Sequence, residues 1–474
     1  MSVGGASPLL LEALSAACSG RQHVLTDAAS LAAASHDMSF HAPATPLAVA
    51  RPGCPEEMAA CIQACVMAGV PFLARGAGTG VEGGCIPYGG MVVLSTERLQ
   101  KLRLHKESML VEVGAGVRKD ELNSFLRPHG LVFGPDPSSN PSLGGMAGTS
   151  GSGMTTLKYG TTRENVVSMV VVTPQGEVFR TRQMVRKSSS GYDLNNLYIG
   201  SEGTLGIICE LAVKVWPLPK IRSGGIIEFG TVEEACRCVV QLHANLPPAL
   251  LRCELLNAGA VSCTNQAYGT TLVEVPTLFL EFIGRSAEDL VLVRSEWDSV
   301  ALAAEDCGGR NACFAQDGVS LDGLWDARRG SYAACVKYGR ATGCNSLLIT
   351  DVCVPICSIA ACVAQTEADF QASGVPCVMC CHIADGNFHC LLPYNKRAPD
   401  QVATVRQLEH RLLVRALHLG GTVSGEHGVG VGKIAHACKE HGNVHIACQQ
   451  AIKEALDPRG LLNPGKMLPN SSKL

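Results

Sequence analysis

Short apolar runs alternate with glycine-rich stretches along the first half of the chain. Residues 70–84, VPFLARGAGTGVEGG, begin as an apolar strand and continue into a loop where Gly78, Gly80 and Gly83 match G-x-G-x-x-G. A dinucleotide-binding loop of this spacing should open a helix, whereas here Pro87 and two further glycines precede another apolar run, MVVLS. The pattern therefore predicts a glycine-rich loop between two strands, whose backbone N–H groups could bind a pyrophosphate.

Two more glycine-rich segments follow, at residues 134–160 and within 198–219, and the second of them leads into an apolar strand. Between them, residues 166–181 predict a strand, a Pro-Gln-Gly turn and a second strand. Beyond residue 219 the glycine clusters thin out and strand-like runs alternate with helical stretches as far as residue 415, so we place a domain boundary near 219. Residues 456–468, rich in Pro, Gly and Asn, predict a final loop.

Length and composition indicate a globular protein of two or three domains. The chain has 474 residues, of which 46% are hydrophobic and 17% charged, with a net charge of -3. No basic excess indicates nucleic-acid binding, and no apolar stretch is long enough to span a bilayer. The 51 glycines cluster, which indicates places where backbone approaches a ligand closely.

The 23 cysteines are scattered through apolar segments, and we interpret them as reduced thiols in an intracellular compartment. One group, CVMCC at 377–381, contains a C-x-x-C directly before His382. A zinc or redox role is one interpretation of this group. A buried strand is the other, and it is favoured because the chain has no second C-x-x-C.

The chain termini suggest a location. The N-terminal segment lacks a basic start and carries Glu12, which argues against a secretory signal or a mitochondrial presequence. The last three residues, Ser472-Lys473-Leu474, match the tripeptide read by the peroxisomal import receptor. We therefore expect a peroxisome or a peroxisome-like organelle such as the glycosome, with the mitochondrion as the alternative.

The segment HIADGNFH places one histidine, His382, before an Asp-Gly turn and another, His389, after it. A turn there would bring the two imidazoles together, and a shared metal ion is one reason for such a pair; two unrelated histidines are the other interpretation. Downstream, SGEHGVG at 424–430 places Glu426 beside His427 between glycines. Glu426 could complete a metal site with His382 and His389 while leaving coordination positions open, as catalysis requires.

Ten stretches, taken together and in this order, resemble the flavin-dependent D-lactate dehydrogenases of the vanillyl-alcohol-oxidase-type FAD superfamily. The resemblance extends from about residue 42 to 468. The matching stretches are RGAGTGVEGG, GPDPSS, GGMAGTSGSG, KYGTTREN, GYDLNNLYIGSEGTLG, LWDARRG, TDVCVP, HIADGNFH, SGEHGVG and LNPGK.

The resemblance implies an α+β fold with a two-part PCMH-type FAD-binding domain, a cap domain with an antiparallel sheet, and a C-terminus that returns to the flavin. The corresponding domains are an N-terminal helical segment at 1–41, the FAD-binding domain at 42–218, the cap or substrate domain at 219–420, and a C-terminal segment at 421–474 that completes both sites.

The family's functional residues carry over onto matching positions. His382, His389 and Glu426 match the ligands of a divalent metal (Zn, Mn or Fe), His427 matches the active-site base, Arg328 matches the arginine that binds a substrate carboxylate, and Asn387 lines the pocket. The implied FAD-binding residues are Arg75, Gly76, Ala77, Gly78, Thr79, Gly80, Gly83, Gly84, Pro135, Asp136, Ser139, Gly144, Gly145, Gly148, Ser152, Gly153, Tyr159, Glu202, Gly203, Gly206, Ile208 and Asn463. Within this set, Glu202, Gly203, Gly206 and Ile208 would lie by the adenine side and Asn463 near the isoalloxazine.

These roles predict FAD-dependent oxidation of D-lactate to pyruvate, with metal-assisted loss of the hydroxyl proton to His427. The electron acceptor would be cytochrome c, a quinone or an electron-transfer flavoprotein. Related D-2-hydroxyglutarate dehydrogenases carry a lysine where this chain has Ile349 and Thr350, so a monocarboxylic substrate is favoured. Since residues 75–84 contain no histidine or cysteine, we expect FAD to be bound without a covalent bond.

The sequence leaves other interpretations of the function open. D-2-hydroxyglutarate or glycolate could be the substrate of the same chemistry. Alkylglycerone-phosphate synthase would suit the C-terminal tripeptide, but its triple-histidine run is absent here. A zinc hydrolase would explain the histidines and not the glycine loops, and a non-catalytic interaction protein that retained the fold would need a damaged site.

Overall fold

A computed structural model describes residues 5–469 and divides the chain into two units that are each discontinuous in sequence. The first unit consists of residues up to 152, residues 159–217, and residues from 426 onwards. The second consists of residues 153–158 and 218–425. The domain boundaries predicted at 218/219 and 420/421 stay a prediction; the structure changes unit between 217 and 218 and between 425 and 426.

Two main sheets form the first unit, and they give it two parts. The smaller sheet has four strands, of which the first two pair antiparallel and the other two pairs are parallel. The larger sheet has five strands, all paired antiparallel. In spatial order the four strands are Val24–Leu25, Ala48–Ala50, Val92–Ser95 and Phe72–Arg75, and the five are Leu102–His105, Leu110–Gly114, Ile207–Lys214, Val166–Val172 and Val178–Arg180; Leu131–Val132 and Trp216–Pro217 form a separate pair.

The C-terminal loop adds to the edge of the four-stranded sheet. Leu462 forms a parallel bridge with Phe72, and the backbone N–H of Asn463 donates to the Phe72 carbonyl at 2.7 Å. Phe72 and Leu462 are fully buried, so this late segment is part of the core that the N-terminal segments build. The C-terminal segment thus returns to the first unit, as its predicted return to the flavin requires, and its contact with the flavin stays a prediction.

The strands and loops predicted around 70–95 and 166–181 are confirmed. Residues 134–160, predicted as a loop, differ because they contain the helix Leu143–Thr149. Ser142 caps this helix by accepting from the N–H of Gly145, and Gly144 lies so close to Ala115 that a Cβ would approach its side chain to 2.6 Å. Tight packing therefore stabilises a helix where glycine content alone argued against one.

The helices of the first unit surround its sheets, and the longest has a non-helical Gly442 inside it. They are Pro8–Ala17, Ala28–Ala34, Pro55–Ala68, Lys119–Leu126, Leu143–Thr149, Thr162–Asn165, Leu194–Tyr198 and Ile434–Leu456, with 3-10 turns at Arg21–His23, Lys106–Ser108 and Arg127–His129. A one-turn helix, Thr156–Tyr159, spans the sequence boundary between the units.

The second unit is built on one eight-stranded sheet in which every pair is antiparallel. Seven strands in spatial order are Arg310–Ala315, Ile221–Glu228, Thr277–Gly284, Leu250–Leu256, Val378–His382, Asn387–Tyr394 and Ser346–Ile349, and Val352–Cys353 pairs with the sixth. The predicted antiparallel sheet of the cap domain and the α+β class are confirmed.

Seven α-helices of the second unit flank this sheet within the described residues. They are Val232–His243, Ala258–Tyr268, Asp289–Asp306, Gly318–Arg329, Ser331–Ala341, Ile359–Ser373 and Pro399–His418, with 3-10 turns at Ile356–Ser358 and Ile383–Asp385. Between residues 5 and 469, no helix combines the length and apolar character required to cross a membrane.

Candidate active site

A β-hairpin in the second unit carries both histidines of the HIADGNFH segment. Strand Val378–His382 pairs with strand Asn387–Tyr394 so that His382 lies opposite Asn387 and His389 lies opposite Cys380. Because side chains alternate along a strand, this register places both imidazoles on one face of the sheet. Their ring centroids are 5.4 Å apart and their planes are nearly perpendicular. The turn predicted at Asp-Gly, and the pairing of the two histidines, are confirmed.

Both imidazoles are held by acceptors at Nδ1. The Nδ1 of His382 lies 2.8 Å from Oε1 of Glu254, and the Nδ1 of His389 lies 3.1 Å from the carbonyl oxygen of Thr350. A carbonyl oxygen only accepts hydrogen bonds, so Nδ1 of His389 is the donor, and in the neutral ring the lone pair is then on Nε2. A carboxylate acts in the same way on His382. Metal-binding histidines have this arrangement, in which an outer acceptor fixes the ring and exposes the other nitrogen to the ion.

Glu254 also contacts the predicted substrate-binding arginine. Arg328, in the last turn of helix Gly318–Arg329, donates from Nε and Nη2 to Oε2 of Glu254 at 3.1 and 2.5 Å. Burial is the largest single effect on the pKa of Arg328 and lowers it, but the charge and hydrogen bond of Glu254, together with Cys380 and Cys381, raise the pKa above its usual value. This edge of the guanidinium is engaged within the protein, so a forked contact with a substrate carboxylate would have to use the Nη1–Nη2 edge.

Asn387 lies on the same face and has an unpaired acceptor. Its Nδ2 donates to Oδ1 of Asp351 at 2.8 Å and to the Val352 carbonyl at 2.9 Å, while its buried Oδ1 has no hydrogen-bond partner. A buried amide oxygen without a partner is costly unless a ligand satisfies it. Two imidazole nitrogens and this oxygen are donors that suit Zn²⁺, Mn²⁺ or Fe²⁺, so the second unit fits the cation that the sequence predicts.

Three predicted cofactor segments meet at Asn463 in the first unit. Its Nδ2 donates to the carbonyl of Gly84 at 3.2 Å, in the first glycine loop, and to the carbonyl of Glu202 at 2.9 Å, in the third. The Glu202 carboxylate in turn accepts from the N–H groups of Val429 and Gly430 at 2.6 and 2.9 Å. Burial raises the pKa of Glu202, and those two backbone donors oppose the rise. The segments that contain residues 84, 202, 429–430 and 463 are therefore fixed to one another.

Glu426 and His427 begin the C-terminal part of the first unit. The hydroxyl of Ser152 donates to Oε2 of Glu426, and Oε1 of Glu426 lies 3.8 Å from Nε2 of His427. Both side chains are partly exposed, at 12% and 21%. Ser152, predicted to bind the cofactor, is thus also an anchor for the predicted metal ligand.

One glycine of the second glycine-rich segment, Gly148, has open space beside its backbone. A Cβ added to Gly148, on the helix Leu143–Thr149, would meet nothing within 4 Å, although Met146 and Ala147 beside it are buried. An open backbone surface next to a packed core is what a cofactor with extended phosphate groups requires. Twenty-one of the predicted FAD residues belong to the first unit and Gly153 belongs to the second. Their contacts with FAD stay predictions.

The CVMCC group is part of the core. Cys380 and Cys381 are buried in strand Val378–His382. Burial raises the pKa of the Cys381 thiol well above its usual value, which disfavours the thiolate that zinc binding or redox exchange requires. The strand interpretation is confirmed.

Sequence reasoning missed two buried carboxylates. Glu254 alternates with Arg252 in the apolar strand LLRCELL, and two charges on one face of a buried strand could have signalled a polar network. Asp351 lies within the TDVCVP motif and is fully buried, where it accepts from Asn387 and Ser424.

Comparison with known proteins identifies the class. Residues 46–182 match the FAD binding domain, and residues 218–467 match the family described as FAD linked oxidases, C-terminal domain. The chain therefore belongs to the FAD-linked oxidase family, and it is an FAD-dependent oxidoreductase.

Individual relatives narrow the class. The chain is 37% identical to a probable mitochondrial D-lactate dehydrogenase of Danio rerio, over 91% of this chain and 86% of the relative. It is 35% identical to a mitochondrial D-lactate dehydrogenase [cytochrome] of Arabidopsis thaliana, over 91% and 75%. A glycolate oxidase subunit of Bacillus subtilis (strain 168) is 29% identical, over 93% and 92%.

Solved structures share the fold. The 4-ethylphenol oxidase from Gulosibacter chungangensis superposes with a TM-score of 0.77 at 17% identity, covering 99% of both chains. A p-cresol methylhydroxylase gives 0.73 at 16%, covering 97% and 96%. An alkyldihydroxyacetonephosphate synthase gives 0.74 at 18%, covering 97% and 86%. These likenesses confirm the PCMH-type fold and carry no conclusion about substrate.

The predicted peroxisomal location is wrong by this comparison. The D-lactate dehydrogenases of Danio rerio, Arabidopsis thaliana and two yeasts are all named as mitochondrial. The tripeptide Ser472-Lys473-Leu474 that suggested the peroxisome lies outside the described residues.

Proposed function

We propose that this protein oxidises D-lactate to pyruvate, with transfer of a hydride to non-covalently bound FAD and assistance from a divalent cation. The observation that carries the proposal is the pair His382 and His389, whose Nδ1 atoms are both held by acceptors on one face of a buried hairpin. When bound, FAD supplies the acceptor for the two electrons that leave Cα of the substrate with its hydrogen.

The cation ligands are His382, His389 and Glu426. Support for Glu426 comes from Gly425, where a Cβ would lie only 2.2 Å from Nδ2 of Asn387 and 3.0 Å from Oδ1 of Asp351. Gly425 is thus packed against the residues beside the histidines. Glu426 follows by one peptide bond, and successive Cα atoms are about 3.8 Å apart. A divalent cation in this position supplies positive charge that favours ionisation of a hydroxyl group beside it.

His427 takes the hydroxyl proton of the substrate. Its side chain is partly exposed, and an imidazole titrates near working pH, so it can accept a proton and pass it to solvent. Gly428 follows it with a φ of 82° and lies against the Glu202 carboxylate, so the loop that carries His427 is fixed on its C-terminal side. A fixed loop keeps the imidazole oriented toward the proton that it removes.

Arg328 and Asn387 orient the substrate. Arg328 binds the carboxylate through its Nη1–Nη2 edge, because Glu254 engages the opposite edge. The unpaired Oδ1 of Asn387 accepts from a ligand in the pocket. With the carboxylate and the hydroxyl both held, a single face of Cα is presented to the acceptor, which accounts for selection of the D enantiomer.

The FAD is held by the glycine-rich segments and by Asn463. Cys85, directly after the first glycine loop, is the nearest thiol in sequence, and burial raises its pKa to about 11. A thiol that stays protonated is a poor nucleophile, which supports a dissociable cofactor. Acid precipitation should release all of the flavin into the supernatant.

A monocarboxylic substrate is supported at Thr350. Thr350 has an uncharged side chain, so it offers no cation for a second carboxylate. It is buried, and its hydroxyl already accepts from the N–H of Cys390 at 2.9 Å. Glycolate is the second candidate, because a glycolate oxidase subunit is among the relatives. By analogy with the relatives, we propose a cytochrome as electron acceptor and a mitochondrial location.

Anaerobic bleaching of the flavin tests the substrate. D-lactate, L-lactate, glycolate and D-2-hydroxyglutarate are mixed separately with the purified flavoprotein in a stopped-flow spectrometer. Rapid bleaching by D-lactate alone, or by D-lactate ahead of glycolate, is the expected result. Faster bleaching by D-2-hydroxyglutarate or by L-lactate would overturn the assignment.

Four variants test the assigned roles. Replacement of His382, His389 or Glu426 by Ala should lower both metal content and turnover. His427→Ala should retain metal and flavin and lose roughly 10²- to 10⁴-fold in kcat, with a much smaller change in KM, because the substrate-binding groups are intact. Elemental analysis and stopped-flow reduction by D-lactate measure the two properties. A His427→Ala protein without metal would make His427 a ligand, and one with a normal rate would remove it as the base.

A further inference from the structure

Glu254 is a buried carboxylate whose two oxygens serve two different functional residues. Oε1 lies 2.8 Å from Nδ1 of His382, and Oε2 accepts from Nε and Nη2 of Arg328 at 3.1 and 2.5 Å. Its side chain is 2% exposed, and those of His382 and Arg328 are 6% and 5% exposed. Solvent therefore cannot replace either contact, and the positions of the two residues depend on one carboxylate.

The charge on Arg328 determines how the carboxylate is used. A guanidinium is protonated at all working pH values and has only donors, so its buried Nε–Nη2 edge requires an acceptor. Oε2 fills that need. Oε1 is then left facing His382, and it accepts the Nδ1 proton of the neutral ring. This tautomer places the lone pair on Nε2, the nitrogen assigned to the cation.

We propose that Glu254 is the positioning residue that fixes the tautomer of His382 and the orientation of Arg328 together. The inference rests on the proposed function, since it gives the His382 lone pair to a cation and Arg328 to a substrate carboxylate. It extends that function by making cation binding and carboxylate recognition depend on one residue that touches neither ligand.

A matched control lies two strands away from the hairpin in the same sheet. Glu281 is fully buried, accepts from Nε and Nη2 of Arg252 at 2.8 and 2.5 Å through Oε2, and accepts from Nε of Arg222 at 2.7 Å through Oε1. It thus has the same forked contact with a buried arginine but no histidine. Glu281→Gln removes the negative charge from contacts with two arginines and touches no histidine, whereas Glu254→Gln changes the contact with Arg328 and the group that faces His382.

The Glu254→Gln change has a defined effect on the imidazole. Arg328 still requires an acceptor, so the amide oxygen turns toward it and the amide NH₂ faces His382. Nδ1 must then accept, and the ring proton moves to Nε2, which can no longer bind a cation. The expected result is weaker binding of Mn²⁺ or Zn²⁺ to the flavin-loaded protein by roughly 10- to 100-fold, the usual effect of losing an outer partner of a metal ligand. Glu281→Gln should bind the metal like the wild type.

The second readout is the tautomer itself. Nitrogen-15 spectra of histidine-labelled, metal-free protein distinguish a ring protonated at Nδ1 from one protonated at Nε2, and His382→Asn identifies the signal. The wild type and Glu281→Gln should show His382 protonated at Nδ1, and Glu254→Gln should show Nε2. The inference is overturned if Glu254→Gln leaves the tautomer unchanged, or if it binds metal as tightly as Glu281→Gln.

The two proposals fail in different ways. A wild type that binds no cation would refute the metal site of the proposed function, yet the spectra would still decide whether Glu254 fixes the ring. If Glu254→Gln does not fold, the wild-type spectrum alone decides, because a ring protonated at Nε2 would refute the inference.

Discussion

Lys466 is a buried lysine in the first unit. Its Nζ donates to the carbonyl of Ile86 at 2.7 Å and lies 3.3 Å from Oδ1 of Asn463. Burial lowers its pKa from 10.5 to about 8. Between pH 8 and 10.5 the unfolded chain therefore binds more protons at this residue than the folded chain, so the folded state gains stability as pH rises through that window.

This shift predicts a pH-dependent effect of Lys466→Met. The contribution of Lys466 to the free energy of unfolding should rise by about 3 kcal/mol across the window and be absent in the variant. The measurement is the difference in the free energy of unfolding between wild type and variant, obtained from urea unfolding at several pH values. Taking the difference cancels the contribution of the buried thiols that titrate in the same range. Lys187→Met, at an exposed lysine, should leave the slope of the wild type intact. A constant difference between wild type and Lys466→Met would refute the shift.

The contacts of some site residues could be predicted from the sequence, and those of others could not. His382 and His389 could be predicted as a pair because an Asp-Gly turn between them has a known geometry. Glu254 could not, because it lies 128 residues from His382 and meets it only through the pairing of two strands. Arg328 was assigned to a substrate by resemblance alone, and its contact with Glu254 joins a helix to a strand that lies 74 residues earlier in the chain.

The hairpin that carries the histidines depends on Gly386. Its φ is 79°, a conformation that disfavours side chains, and an added Cβ would lie 2.2 Å from the carbonyl oxygen of Val354. That region of the chain is also tied to the turn, since the N–H of Val354 donates to the carbonyl of Gly386 at 2.9 Å. A side chain here must displace the turn between the two imidazoles.

We therefore expect Gly386→Ala to lower the free energy of unfolding by more than the positive φ alone would. Gly374, which ends helix Ile359–Ser373, has a φ of 70° and nothing within 4 Å of a Cβ. Gly374→Ala should cost about 1 kcal/mol and leave metal affinity unchanged. Gly386→Ala should cost at least about 1 kcal/mol more and weaken metal binding. Thermal unfolding and metal titration of both variants check this, and equal costs would contradict it.

Elements were predictable where their pattern was local. The strand, turn and strand over 166–181 follow from alternation and turn residues. The helix Leu143–Thr149 does not, because its glycines are poor helix formers and its stability comes from close packing on Ala115. The order of strands in the eight-stranded sheet could not be predicted from the sequence. The strand that comes first in the chain, Ile221–Glu228, lies second in the sheet and not at its edge.

For the whole molecule, Asn463 links segments that are far apart in the chain. In Asn463→Ala the carbonyls of Gly84 and Glu202 lose their donor and Nζ of Lys466 loses an acceptor, and three hydrogen bonds are together worth about 3 kcal/mol. Flavin fluorescence during urea unfolding should then show release of FAD at lower urea than in the wild type. Asn257→Ala removes four hydrogen bonds from the second unit, two that Nδ2 donates to Cys377 and Glu367 and two that Oδ1 accepts from backbone N–H groups, and should lower stability without early flavin release. Identical release curves for the two variants would contradict this role.

The bridge between Phe72 and Leu462 has a consequence for synthesis on the ribosome. Residues 218–425 leave the exit tunnel as one stretch that contains every strand of the eight-stranded sheet, so the nascent chain can form that sheet while translation continues. The four strands of the smaller sheet are all made early, but the bridge that Leu462 adds at its edge must wait, and so must the bonds that Asn463 makes to the glycine loops. The predicted FAD site, although most of it is encoded first, is completed only after residue 463 has been made, so we expect the cofactor to be captured after that point.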